Sequence, residues 1–151
     1  MDLYKEFFAV AKALNAGGIH YAVVGGIAVG FHGHPRLTKD IDILLPLAEI
    51  EAACTVLADL GYQKSTVPWK TTKGRITITR LIRISGSDHM LVDLLGAVNK
   101  RDLNAINNAM QAEAAIGMVP VAGRKELIRL KRVRGSIQDL ADIEALSHDP
   151  H

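Results

Sequence analysis

Three aspartates are the residues of this chain whose type and spacing are best suited to chemistry. Asp40 and Asp42 stand two residues apart, and Asp93 lies much later, between Val92 and Leu94. Carboxylate oxygens are the ligands that Mg²⁺ takes from proteins, and an aspartate among apolar neighbours is costly to bury unless it is paired or binds metal. The three acids therefore indicate a candidate site for divalent metal ions.

A pair of glycines, Gly25-Gly26, precedes the acids and follows a short apolar run. Because glycine has no side chain, backbone N–H groups here can approach phosphate oxygens, and a helix that follows presents its positive end to them. The pair also fits an ordinary strand-to-helix turn, since short motifs of this kind often occur by chance. Glycines followed by paired carboxylates nevertheless indicate a site for nucleotide chemistry.

The first two acids lie in a predicted strand, Thr38–Leu45, which follows a buried strand at Tyr21–Val24. Successive side chains of a strand point to opposite faces, so Asp40 and Asp42 share one face and the isoleucines that alternate with them share the other. The strand is therefore predicted to be core on one side and acidic on the other. Taken alone, Asp-x-Asp would also fit a solvated strand face.

The third acid lies in a predicted hairpin. Arg75–Ile84 and His89–Leu95 alternate well, and the turn sequence Ser-Gly-Ser-Asp between them favours an antiparallel pair. Tyr62–Trp69 is predicted as a short strand or an irregular link, and Gly117–Val121 as an extended piece. The predicted helices are Asp2–Ala16, Ile27–Phe31, Leu47–Leu60, Asn99–Ala115, Arg124–Arg134 and a last helix that ends near Leu146.

These elements predict an α/β (α+β) fold, in which helices pack on a mixed, twisted sheet and the C-terminal helices form a further wall. The length of 151 residues suits a single domain. We expect its core, which carries the acids, at about 19–96 and the C-terminal helices at about 99–147.

Composition excludes several classes of protein. The apolar fraction of 48% and the charged fraction of 23% are ordinary for a globular protein, and a net charge of +2 does not by itself indicate a nucleic-acid binder. The single cysteine, Cys54, excludes a disulfide scaffold and favours a reducing compartment. No apolar run has the length of a membrane span, and the N-terminal residues lack the pattern of a secretory signal. We therefore expect a cytoplasmic protein with no membrane partner.

The order and spacing of these residues resemble a known family. The glycine pair, Asp40, Asp42 and the lone Asp93 are similar to the glycine turn and carboxylate triad of the nucleotidyltransferase superfamily, which has the polymerase-beta-like fold. The runs Arg-Leu-Thr-Lys-Asp-Ile-Asp at 36–42 and Gln-Asp-Leu-Ala-Asp-Ile at 138–143 look most like the AbiEii-type toxin and minimal nucleotidyltransferase branch. The resemblance covers most of the chain.

The resemblance implies an enzyme that moves a nucleoside monophosphate from a nucleoside triphosphate to a hydroxyl and releases pyrophosphate. Asp40 and Asp42 would bridge two Mg²⁺ ions, with Mn²⁺ as a substitute, at a spacing of roughly 3.5–4 Å. Asp93 would bind the ion nearest the acceptor hydroxyl and could take its proton. The acceptor could be a tRNA end, a protein side chain or a small molecule, and a toxin would have an antitoxin protein as its partner.

The resemblance also implies contacts to the triphosphate. Gly25 and Gly26 would offer backbone N–H groups, although Gly26 stands where many family members have serine. Without that serine, a side-chain hydroxyl contact to the triphosphate is missing. Arg36 lies in the loop before the acidic strand and could reach the triphosphate, and Thr38 is assigned to the nucleotide site beside it.

The basic C-terminal helix and two aromatic residues leave alternatives open. The family places a basic residue from such a helix against the triphosphate, and either Lys125 or Lys131 could fill that role. The helix could instead contact RNA, because Lys125, Arg129 and Arg132 recur at spacings of four and three and share a face. Tyr62 and Trp69 could stack on a base or be partly buried packing. A catalytically inactive module of the same fold, which binds a nucleotide or a protein partner, is a further alternative.

Overall fold

Eight strands and six α-helices make up the part of the chain that the computed structural model describes, which is residues 1–35, 37–71, 76–134 and 137–148. The α-helices are α1 (Leu3–Ala16), α2 (Gly25–Phe31), α3 (Ile50–Ala58), α4 (Lys100–Asn107), α5 (Arg124–Arg134) and α6 (Ile137–Ser147). The strands are β1 (Ala22–Val24), β2 (Asp40–Pro46), β3 (Gln63–Lys64), β4 (Trp69–Lys70), β5 (Thr77–Ser85), β6 (Asp88–Ala97), β7 (Met110–Ala114) and β8 (Gly117–Val121). None of the described helices has the length and hydrophobicity needed to cross a bilayer.

All eight strands belong to one mixed sheet. Seven lie in the order β3-β5-β6-β2-β1-β8-β7, and β4 pairs with β5 outside this path. β1 runs antiparallel to β2, β2 runs parallel to β6, and β5 and β6 form the antiparallel hairpin expected from the sequence. The mixed sheet and its helices confirm the predicted fold class, and the two strands that carry the acids, β2 and β6, are neighbours.

The prediction of one helix across residues 99–115 is wrong in its second half. α4 covers only the first part, and the residues that follow form the antiparallel β7–β8 hairpin. β8 extends the sheet beside β1, where Val121 pairs with Val23 and the N–H of Ala122 donates to the Val23 carbonyl at 3.0 Å. The alanine-rich stretch favours a helix locally, but pairing within the sheet outweighs that preference.

Two helix boundaries also differ from the prediction. The helix expected at Ile27–Phe31 begins two residues earlier, so the glycine pair forms the first turn of α2 itself. The helix expected at Leu47–Leu60 is a 3-10 turn, Leu47–Glu49, followed by the shorter α3. The first difference places the backbone N–H groups of the glycine pair within the helix N-terminus.

The core lies behind the acidic strand. Ile41 and Ile43 alternate with the aspartates of β2 and have no solvent exposure. α1 contacts both β2 and α3, and its Phe7, Val10 and Leu14 are fully buried. Because close-packed interiors resist deformation, this core fixes the strand that presents the acids.

Two buried tyrosines allow a matched test of this packing. The Tyr21 hydroxyl donates to Asn15 Oδ1 at 2.8 Å, whereas the Tyr62 hydroxyl has no hydrogen-bond partner among the described residues. We expect Tyr62→Phe to raise the free energy of unfolding by about 1 kcal/mol, because it removes a buried polar group that makes no bond. Tyr21→Phe should lower it by about 1 kcal/mol. Urea denaturation measures both, and equal losses in the two variants would contradict the expectation.

The same two side chains give this test a pH dependence. Burial raises the pKa of Tyr21 and of Tyr62 from 10.0 to about 12. Folding therefore favours the neutral phenols, so their contribution to stability is complete below pH 10 and is lost as the pH rises through about 12. This alkaline loss of stability should be smaller in each phenylalanine variant.

Tyr62 is only 1% exposed, which leaves its ring no free face for stacking on a base.

Candidate active site

Sheet register brings two of the predicted acids side by side. Asp42 of β2 and Asp93 of β6 are direct partners across the parallel pair, so their side chains point to the same face. Asp40 lies two residues earlier on β2, on that face, opposite Leu91. On the other side of β2, Asp42 pairs with Val24, the last residue of β1. The acids therefore lie next to the point where β1 ends and α2 begins.

Gly25 is packed directly against one of these acids. Its φ of +69° lies in the left-handed region that favours glycine. A Cβ at this position would overlap Asp42 Oδ2 and lie 2.8 Å from Cγ and 2.9 Å from Cβ of the same residue. Gly26 follows as a buried residue of α2. Position 25 thus requires glycine both for its backbone conformation and for the close approach of the turn to Asp42.

Arg80 interacts with the acids and is a fourth member of the site. It lies opposite Asp93 in the β5–β6 hairpin, and its Nε and Nη2 donate to the two carboxylate oxygens of Asp93 at 2.8 and 2.9 Å. Its Cζ lies 5.4 Å from the centroid of the Trp69 ring. The hydrogen bond to Asp93 raises the pKa of Arg80 most, and the charges of all three acids raise it further, against the effect of burial.

Sequence reasoning missed Arg80, although a signal was present. Ile78 and Ile82 flank it at spacings of two, so Arg80 interrupts the apolar face of one strand as Asp93 interrupts that of the next. Opposite charges at such positions of a predicted hairpin indicate a cross-strand pair. The turn sets Ser85 opposite its partner Asp88, and counting back from that pair brings Arg80 opposite Asp93.

A cleft lies between the acidic face of the sheet and the C-terminal helices. α5 contacts α6, and both of these C-terminal helices contribute residues to the cleft. The cleft is mainly apolar, with acidic and basic side chains at its floor and wall. Its lining residues are Val24, Gly25, Asp42, Thr71, Ile76, Ile78, Asp93, Leu95, Leu127, Leu130, Lys131 and Asp139.

Lys131, rather than Lys125, is the cation of α5 that lies in this cleft. Its Nζ is 2.9 Å from Asp142 Oδ2 and 3.7 Å from Asp139 Oδ1, and the residue is 4% exposed. Lys125 is exposed and is not among the described residues that line the cleft. Sequence reasoning gave Asp139 and Asp142 no role, but acids one helical turn apart in an apolar helix indicate a buried cation between them.

Replacing the two lysines should distinguish a buried ion pair from a surface charge. We expect Lys131→Met to lower the free energy of unfolding by about 3 kcal/mol, because Asp139 and Asp142 remain buried without their shared cation. Lys125→Met, on the same helix, should change it by less than about 0.5 kcal/mol. Urea denaturation at neutral pH measures both values. Equal effects of the two substitutions would show that Lys131 holds no buried ion pair.

The remaining residues predicted to bind the nucleotide or RNA are not among the described residues that line the cleft. The Thr38 hydroxyl donates to the Asp40 carbonyl at 3.4 Å, so it lies at the start of the acidic strand. Arg36 lies outside the described residues. Arg129, expected on an exposed basic face, has a side chain that is 11% exposed and pairs with the buried Asp102 of α4 at 2.8 Å. The cations of α5 therefore do not share one solvent-facing surface.

The carboxylate oxygens of the site are suitable ligands for a divalent cation, but the three carboxylates are not close enough together here to coordinate one ion. Three carboxylates on one face are the hard oxygen ligands that Mg²⁺ takes. Among the described residues, no three His, Cys, Asp or Glu side chains are close enough to hold a metal ion together. Both oxygens of Asp93 accept from Arg80. Arg80 therefore occupies acceptor sites on both oxygens with which Asp93 would bind a metal ion.

The sheet and its helices share their fold with solved structures described as nucleotidyltransferases. TM1012 of Thermotoga maritima, assigned as a nucleotidyltransferase, matches with a TM-score of 0.68 and 13% identity over 94% of this chain and 90% of that one. The lincosamide antibiotic adenylyltransferase LnuA, bound to lincomycin, matches with a TM-score of 0.64 and 15% identity over 95% and 96%. ANT(2'')-Ia, in complex with adenylyl-2''-tobramycin, matches with a TM-score of 0.64 and 14% identity over 94% and 86%.

These similarities are in structure rather than in sequence. The sequence matches no protein-family model and no curated protein. Identities of 13–15% are those of a shared fold alone. The reaction and its acceptor must therefore be argued from the site.

Proposed function

We propose that this protein is a metal-dependent nucleotidyltransferase, which moves a nucleoside monophosphate from a nucleoside triphosphate to a hydroxyl acceptor. The observation that carries the proposal is the register of β2 and β6, which sets Asp42 beside Asp93 with Asp40 on the same face. The close approach of Gly25 to Asp42 supports it, because a triphosphate at that turn would lie beside the acids. The fold shared with LnuA and ANT(2'')-Ia supports the same class of reaction.

The residues of the site have distinct roles in this reaction. Asp40, Asp42 and Asp93 would hold Mg²⁺ or Mn²⁺, which when bound neutralises the triphosphate and makes the acceptor oxygen more acidic. The acceptor oxygen forms a bond to the α-phosphorus, the bond to pyrophosphate breaks, and Asp93 takes the hydroxyl proton. The backbone N–H groups of Gly25 and Gly26, in the first turn of α2, would donate to the phosphate oxygens. Positioning and charge stabilisation provide most of the acceleration.

A small molecule is the acceptor that the cleft favours. Ile78, Leu95 and Leu127 contribute to its largely apolar lining, which suits an organic molecule with hydrocarbon surface. The two adenylyltransferase structures hold lincomycin and an adenylylated tobramycin, which are small molecules. A tRNA acceptor has less support, because Arg129, one of the cations expected to contact RNA, instead forms an ion pair with the buried Asp102. ATP is the first nucleotide to examine, since both of these structures concern adenylyl transfer.

Label transfer tests the proposed reaction. Each α-labelled nucleoside triphosphate is incubated with the protein, Mg²⁺ and separate fractions of small molecules, tRNA and proteins from a cell extract. The expected result is a labelled small molecule, stoichiometric pyrophosphate release and loss of both when EDTA is present. Nucleotide binding without a labelled product in any fraction would favour the inactive module, an alternative that the pairing of Asp93 with Arg80 supports.

A toxin role and membership of the AbiEii-type branch are finer parts of the proposal. They rest on the runs at 36–42 and 138–143, and a cytoplasmic location would suit both. A toxin that acts by nucleotidyl transfer should slow growth when the wild-type chain is expressed, and Asp42→Asn should not. Equal growth arrest by both chains would show that the toxicity does not depend on nucleotidyl transfer.

A further inference from the structure

The acids of the candidate site have an internal cation. Asp42 and Asp93 are direct neighbours on adjacent strands, a position in which like charges repel. Arg80 offsets this repulsion through two parallel hydrogen bonds to Asp93, an arrangement in which guanidinium and carboxylate bind strongly. The side chains of Arg80 and Asp93 are 32% and 10% exposed. Water therefore screens the pair only in part, and separating it has a cost.

The Arg80 guanidinium also contacts the ring of Trp69. β4 pairs with β5 so that Trp69 lies opposite Ile78, which is two residues from Arg80 on the same face. The separation of 5.4 Å between Arg80 Cζ and the ring centroid is within the range of a cation–π contact. Trp69 is 39% exposed, so part of its surface contacts solvent. Arg80 can thus leave Asp93 and still keep a partner.

We propose that Arg80 is an internal counter-ion, which neutralises Asp93 when no metal is bound and competes with the metal ion for this carboxylate. The inference rests on the proposed function, because it takes the three acids to be the metal site. Binding of the ion would weaken or break at least one of the two hydrogen bonds from Arg80 to Asp93, while the guanidinium keeps its contact with the Trp69 ring. Arg80 is therefore a positioning residue that sets how tightly the site binds its ion.

Titration of Mn²⁺ alone into the full chain, followed by calorimetry, tests the competition. We expect Arg80→Met to lower the dissociation constant about tenfold, or about 1.4 kcal/mol, because the ion no longer displaces a guanidinium. Arg80→Lys keeps the charge but loses the two-pronged geometry, so its value should lie between those of the wild type and Arg80→Met. Arg83→Met is the matched control. Arg83 is on the same strand, on the opposite face, and pairs with Glu6, so this substitution should leave the dissociation constant unchanged.

Trp69, the single tryptophan of the sequence, supplies a second readout. Titration with Mg²⁺ should change its fluorescence in the wild type as the guanidinium moves, with the concentration dependence of binding. The change should be absent in Arg80→Met. The metal-free Arg80→Met protein should also melt at a lower temperature than the wild type, and saturating Mg²⁺ should restore much of the difference, because the ion replaces the missing counter-ion.

The outcomes distinguish this inference from the function on which it rests. In an Asp93→Asn background, Arg80→Met should no longer alter Mn²⁺ affinity, since no carboxylate is left to compete for. If the wild type binds Mn²⁺ in a way that depends on Asp42, but Arg80→Met binds it equally well and only melts earlier, the counter-ion inference is overturned and the metal site stands. If the wild type shows no Asp42-dependent binding, both are overturned.

Discussion

Asp42→Asn is expected to lower the rate of nucleotidyl transfer by about a thousandfold or more, which corresponds to about 4 kcal/mol of lost transition-state stabilisation. Asp42 lies next to both the third acid and the glycine turn, because it is the register partner of Asp93 and packs against Gly25. Asparagine keeps the shape of the side chain but lacks the charge with which the site would hold its metal ions. Label transfer at saturating nucleotide and Mg²⁺ measures the effect.

Asp59→Asn is the matched control for this substitution. Asp59 is an exposed acid at the end of α3 and does not line the cleft. Its replacement removes the same charge from the chain and should leave the rate unchanged. A melting temperature of Asp42→Asn close to that of the wild type will show that the lost rate reflects chemistry rather than unfolding. Transfer at the wild-type rate by folded Asp42→Asn would contradict the proposed role of the acids.

Local geometry explains why parts of the site could be predicted from sequence. Side chains two residues apart in a strand must share a face, so Asp40 and Asp42 could be placed together from spacing alone. The turn before β6 was recognisable from its residues, and it fixes which residues of the β5–β6 hairpin face each other. The parallel pairing of β2 with β6, which sets Asp42 beside Asp93, depends on packing between segments far apart in the chain. Spacing did not reveal it.

The faces of β5 show a second limit of local patterns. Its isoleucines suggest an apolar face at Ile78 and Ile82, but that face carries Arg80 and looks towards the cleft. Thr79 and Leu81, on the opposite face, are 3% and 1% exposed and lie in the core. Because both faces of β5 carry apolar side chains, hydrophobicity does not distinguish the core face from the cleft face. Its register with β6 does, since it places Arg80 on the same face as the acids.

Gly25→Ala is expected to reduce nucleotidyl transfer by about a hundredfold, because the new methyl group would displace the carboxylate of Asp42 from its position. The Cβ of alanine would overlap Asp42 Oδ2, and at 2.8 and 2.9 Å it would also press on Cγ and Cβ. Rotation of the carboxylate alone relieves only the first of these contacts, so the whole side chain must move. The φ of +69° adds a strain of roughly 1–2 kcal/mol for any residue with a side chain. Transfer rate and free energy of unfolding are both measured.

Gly18→Ala separates the strain of this position from the steric overlap. Gly18 has a nearly identical φ of +68°, but a Cβ there would meet nothing within 4 Å. Gly18→Ala should therefore show the loss of stability that the strain causes, with no change in transfer rate. Combining Gly25→Ala with Asp42→Ala should recover part of the stability lost to the overlap, so the two effects will not be additive. Additive effects, or equal transfer rates in Gly18→Ala and Gly25→Ala, would show that the glycine turn and the acid do not act as one unit.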